Sequence, residues 1–106
     1  MTASMADPTA QAALAEVMQT LMNRPHVRDL YGMELVSAQV GQVTLALGHR
    51  PELGHLPGWF QGTVTSALAE TAAAMSGVTI APGGDTMTLQ QSIHFTGSAR
   101  GDRLVA

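Results

Sequence analysis

The chain of 106 residues has no cysteine, which rules out a disulfide framework and any thiolate metal site. It has no lysine either. All five basic side chains are arginines, set against eight acids for a formal charge of −3. That set offers neither a basic stripe for nucleic acid nor a polybasic membrane patch, so small molecules and other proteins are the expected partners. The start of the chain lacks a basic segment followed by an apolar core, and so does not read as a signal peptide. The longest apolar stretch, Val64 to Ala81, is interrupted by Glu70 and does not read as a membrane span. Internal repeats and low-complexity tracts are missing as well. These absences leave a cytoplasmic enzyme or binding protein as the expectation, with no membrane and no nucleic acid.

What remains is one domain's worth of chain, 45% hydrophobic, able to bury a modest core and to gain from oligomerisation. After six residues expected to be disordered, Asp7-Pro8 supplies an N-cap and a first helical position. Leu14, Val17, Met18 and Leu21 then recur as one apolar stripe, which Asn23-Arg24-Pro25 terminates. From Gly32 the period changes to two. Met33 to Val40 and Gln42 to Leu47 predict a hairpin joined at Gly41, with Val43, Leu45 and Leu47 on the apolar face. Gly54, Pro57 and Gly58 make Gly48 to Gln61 a loop, with Trp59 and Phe60 wedged before the next helix. Pro82 to Asp85 is a turn. Met87, Leu89, Ile93 and Phe95 alternate with Thr88, Gln90, Ser92 and His94, predicting a half-buried strand over Met87 to Thr96. After a turn at Gly97 to Asp102, Arg103 to Ala106 begins a further strand. The division is an N-terminal helical segment, 1–31, and a domain over 32–106, of α+β class, with a long helix packed on an antiparallel sheet.

That long helix, Gly62 to Gly77, is small or apolar all round except for Glu70. Such a helix is normally buried, so the carboxylate either binds backbone donors as a structural group or serves as a general base or nucleophile. Thr63, Ser66, Ala73 and Ala74 flank it, while Val64, Leu68, Thr71 and Met75 form the apolar stripe on another side. Gly62 lies at the helix start, where free N–H groups and the helix dipole favour a developing oxyanion. Eight residues of helix rise about 12 Å, too far for Gly62 and Glu70 of one chain to serve one carbonyl. If the two act together, they come from two subunits whose helices meet antiparallel at a two-fold interface.

The segment from Arg50 to Ala72, RPELGHLPGWFQGTVTSALAETA, resembles the hotdog-fold acyl-CoA thioesterases of the phenylacetic-acid-degradation type. The family pattern runs Asn, Gln or His, then Gly, then His-Gly-Gly, then Leu-Ala-Asp/Glu-x-Ala. The similarity extends from about Gly32 to the C-terminus and includes the Ser92 to Phe95 strand and the Gly101-Asp102 turn. It implies hydrolysis of an acyl-CoA to a carboxylic acid and CoA by a homodimer or homotetramer, without cofactor. Glu70 would attack the thioester carbon or activate water, and the Gly62 amide of the other subunit would hold the oxyanion. His55 falls where the family places a polar residue orienting the carbonyl or water, and Thr88 where some members carry Ser or Thr near the water. Gln61 stands at the usual His position, still able to donate, and Thr63 at the usual second Gly. The resemblance also implies strands after Leu104-Val105-Ala106, so the hotdog domain is expected to be C-terminally incomplete or completed by another chain. A non-catalytic acyl-CoA-binding or assembly module is the alternative. No Asp and His pair at the helix start favours a hydratase, and no histidine pair has metal-ligand spacing, so no metal is expected.

Overall fold

Pro8 opens the first helix, α1 (Pro8–Met22), where its fixed φ and missing N–H suit the first turn. In this computed structural model the described residues are 8–54, 56–81 and 86–106. The expected disordered start with Asp7 as N-cap, the turn at 82–85 and His55 lie outside them. α1 stops at Met22, ahead of Pro25. Its stripe turns inward, with Met18 and Leu21 buried and Leu14 and Val17 packed alongside. After Pro25, the five residues His26–Leu30 form a π-helical turn in which the Tyr31 amide donates to the His26 carbonyl at 3.2 Å. No periodic signal in the sequence announces it, because one turn is too short to show a period.

The hairpin forms as its alternation requires. Strand β1 (Met33–Gln39) pairs antiparallel with β2 (Gln42–Gly48), which pairs in turn with β3 (Arg103–Val105), giving the order β1-β2-β3. The pairing steps from Leu35 opposite Leu45 to Ser37 opposite Thr44, which leaves Val36 as the extra residue of a bulge in the edge strand. β2 is the central strand. Its Val43, Leu45 and Leu47 face the core, the last two fully buried, each stabilising by about 1.5 to 3 kcal/mol on burial. Ala46 is also hidden, on the opposite face, because Arg103 reaches across β2 to Glu34, Nη2 to Oε2 at 3.6 Å. Leu45 and Ala106 exchange both backbone hydrogen bonds, at 2.8 and 2.9 Å, continuing the β2–β3 ladder.

The long helix, α2 (Gly62–Ile80), lies against this sheet and runs three residues past the expected end at Gly77. Val64, Leu68, Ala72, Met75 and Val78 form its buried face and meet Phe60, Leu53 and the β2 leucines in one core. Two hydroxyls pin it to the hairpin. Ser76 Oγ accepts the Val43 amide at 3.0 Å, and Thr79 Oγ1 accepts the Gly41 amide at 2.7 Å. Each hydroxyl also donates to a carbonyl of its own helix, Ser76 to Ala72 at 2.8 Å and Thr79 to Ser76 at 2.6 Å, so both ends are satisfied.

Two expectations are corrected. Glu70 is exposed, and no polar or charged residue is buried among the described residues. The small side of α2, with Gly62, Thr63 and Glu70, faces outward. Met87 to Thr96 is not a strand: it has no ladder partner, and Met87 and Leu89 are 84% and 92% exposed. Period-two alternation makes a strand only beside another strand. Instead, residues 86–95 run along α2 in the opposite direction, with Thr86 Oγ1 donating to the Ala74 carbonyl at 3.2 Å. Gln91 Nε2 donates to the Ser66 carbonyl at 3.3 Å, and Phe95 lies against Gly62.

Candidate functional site

The start of α2 is held from both sides by backbone. The Phe60 amide donates to the Ala99 carbonyl at 3.0 Å and the Gln61 amide to the Leu53 carbonyl at 3.1 Å. Phe60 is buried, with its ring edge-on to His49 at 5.0 Å, while Trp59 carries the Arg100 guanidinium 4.9 Å from its ring centre. His49 is half-buried, and its Nε2 lies 3.1 Å from the Trp59 carbonyl oxygen. Gly54 permits this loop: a Cβ there would stand 1.8 Å from the same oxygen.

Gln61 occupies the N-cap in extended conformation (φ −70°, ψ 149°) without capping through its side chain. Its carbonyl accepts the Val64 and Thr65 amides at 3.0 and 3.2 Å, and its Oε1 accepts the Thr63 hydroxyl at 3.4 Å. The Gly62 and Thr63 amides have no acceptor among the described residues, so the helix begins with two free donors at its positive end. The Phe95 ring covers part of this end, and a Cβ on Gly62 would lie 3.1 Å from Phe95 Cζ.

Two turns further along, Glu70 stands on a ridge between two depressions. One is shallow and lined by Gly62, Thr63, Ser66, Ala67 and Phe95, so Glu70 and Gly62 share it at its two ends. The other is a groove of about 350 Å³ between α2 and the π-turn, with Leu21, Val27, Met75 and Val78 beneath and Arg24, His26 and Glu70 at its rim. Glu70 has no hydrogen bond or ion pair among the described residues, which leaves both carboxylate oxygens open to a ligand or to a second chain.

The remaining expected site residues are not gathered here. Thr88 is exposed and lines neither depression, while His55 lies outside the described residues. His94 lines a third hollow with Gly62 and Phe95, whereas Gln90 is exposed and its neighbour Gln91 makes the bond to α2. The groove residues Arg24, His26 and Tyr31 were missed in the sequence because they sit around an irregular turn. Phe95 was missed because it was assigned to a sheet face. Next to the groove, Arg28 holds the Asp29 carboxyl below its ordinary range through a hydrogen bond, Nε to Oδ1 at 2.9 Å, and neither residue lines the groove. Among the described residues no three His, Asp or Glu side chains cluster as metal ligands would, and no helix is long and apolar enough to cross a membrane.

A carboxylate and a pair of free helix-start amides are the two parts an acyl transfer needs, a base or nucleophile and an oxyanion donor. Within one chain they are about 12 Å apart. No protein-family model, no curated protein and no solved structure matches this chain. Its chemistry is therefore read from its own residues.

Proposed function

We propose that the protein is a hotdog-type acyl-CoA thioesterase whose site is completed by a second copy of the chain. One observation carries the reading: the free Gly62 amide and the open Glu70 carboxylate lie eight residues apart on one exposed, small-residued side of α2. Antiparallel helices bring residue 62 of each opposite residue 70 of the other when they cross at residue 66. Ser66 is there, small, with its hydroxyl turned back to the Gly62 carbonyl at 2.9 Å, and Ala67 lies beside it. Small residues at a crossing allow backbones to approach closely, so the pairing closes two equivalent sites about one two-fold axis.

In each site Glu70 of one subunit attacks the thioester carbonyl carbon, directly or through a water whose proton it takes. The oxygen gains negative charge facing the Gly62 amide of the other subunit. Collapse of that intermediate breaks the C–S bond and releases CoA thiolate, which takes up a proton. Where water attacked, this collapse already gives the free acid; where Glu70 attacked, it leaves a mixed anhydride that water hydrolyses to the free acid, regenerating the Glu70 carboxylate. No metal or organic cofactor enters this scheme.

Replacing Glu70 with Gln keeps the shape and removes the base. Free-thiol release from a panel of acyl-CoA esters is expected to fall at least about a hundredfold. Unchanged turnover would refute the assignment. The position of Phe95 over Gly62 favours a second reading, a non-catalytic acyl-CoA-binding or assembly module in which the ring keeps substrate from the amide. Binding of acyl-CoA by the wild-type protein with no thiol release would favour that module.

A further inference from the structure

The groove between the π-turn and α2 has a buried apolar floor and an exposed polar rim, and Glu70 belongs to that rim. We infer that this groove, formed within one subunit, receives the acyl chain of the thioester, so that α1 and the π-turn set acyl specificity. The inference rests on the thioesterase reading for the role of Glu70 and adds the substrate class. Three observations support it.

The floor residues Leu21, Val27, Met75 and Val78 are all buried in the core, so the groove is walled by fixed side chains. Its volume of about 350 Å³ is at the small end of ligand pockets, which are mostly apolar with a few placed polar groups. That open space is enough for a medium-length acyl chain of about eight carbons. The outer wall is the His26–Leu30 turn, a single isolated π-helical turn that sets the width of the groove. A chain lying on this floor directs its carbonyl end to Glu70 at the rim, the carboxylate that a paired antiparallel helix would face with its own Gly62.

The test uses S-octyl-CoA, a thioether that cannot be hydrolysed, against CoA itself, by titration calorimetry on the intact chain. The wild-type protein is expected to bind the octyl compound at least about tenfold more tightly than CoA. Leu30→Trp fills the groove from the π-turn side and Ala74→Phe from the α2 side. Leu30 is 61% exposed, so its replacement does not touch the core, and two opposite walls guard against one variant failing to fold. Each is expected to remove the octyl preference while leaving CoA binding unchanged. In turnover assays each should lower the ratio of kcat/KM for octanoyl-CoA to that for acetyl-CoA at least about tenfold. An octyl preference that survives in both variants overturns the groove assignment, whatever the turnover. Groove-dependent octyl binding without thiol release from any ester overturns hydrolysis and upholds the groove. No octyl preference in the wild-type protein overturns the groove alone if thiol is still released.

Discussion

Gly62 shows what one position can be asked. Proline is well tolerated at the first position of a helix, where its missing N–H is one that the helix does not use. The residue before a proline must be extended, and Gln61 already is, at ψ 149°. Gly62→Pro therefore deletes the proposed oxyanion donor while leaving α2 intact, with Phe95, 56% exposed, free to yield to the added ring. The expected result is a loss of about 10² to 10³ in kcat with far-UV dichroism unchanged. Full activity would remove Gly62 from the site. Glu70 was legible as the lone charge of its helix, but its exposure was not: Ala, Ser and Thr line a core and a surface equally well. Thr88 was placed on a strand face by alternation and near the water by the family resemblance, and neither could say that its segment would find no strand beside it.

Among the elements, α2 and the hairpin were both legible, because the period-two run and the long small-residued run each extend over several repeats. The way they join was not. Ser76 and Thr79 read as small helix residues, yet they accept the Val43 and Gly41 amides and so fix the helix over the hairpin turn. Ser76→Ala leaves the half-buried Val43 amide without its partner and is expected to cost about 1 to 3 kcal/mol, read as a lower urea midpoint at unchanged slope. An unshifted midpoint would mean that water replaces the hydroxyl. The π-turn was hidden for the opposite reason. It lies in five residues between Pro25 and Gly32, where no pattern has room to repeat, although it forms the outer wall of the groove.

At the scale of the whole molecule the apolar surface is unbalanced. Met87, Leu89 and Phe95 are exposed along one side of α2, and Ile80 at its end is 60% exposed, an arrangement that favours association. The shared site gives association a functional test. A subunit with Glu70→Gln still offers Gly62, and a subunit with Gly62→Pro still offers Glu70. Co-refolding equal amounts of the two yields half mixed dimers, each with one intact site of two, so about a quarter of wild-type activity should return from two inactive proteins. A mixture as inactive as its parts would refute a site made by two chains.

Sequence by itself determined the elements whose cause is local: the stripe of α1, its stop before Pro25, the alternation of β2 and the length of apolar chain in α2. It also set the distance between Gly62 and Glu70, because helical rise is a property of the backbone alone. Tertiary structure decided which side of α2 faces the sheet, where residues 86–95 run, and that Glu70 stands open between two depressions. Those outcomes depend on which surfaces meet, and small side chains carry too little hydrophobic preference to fix that in advance.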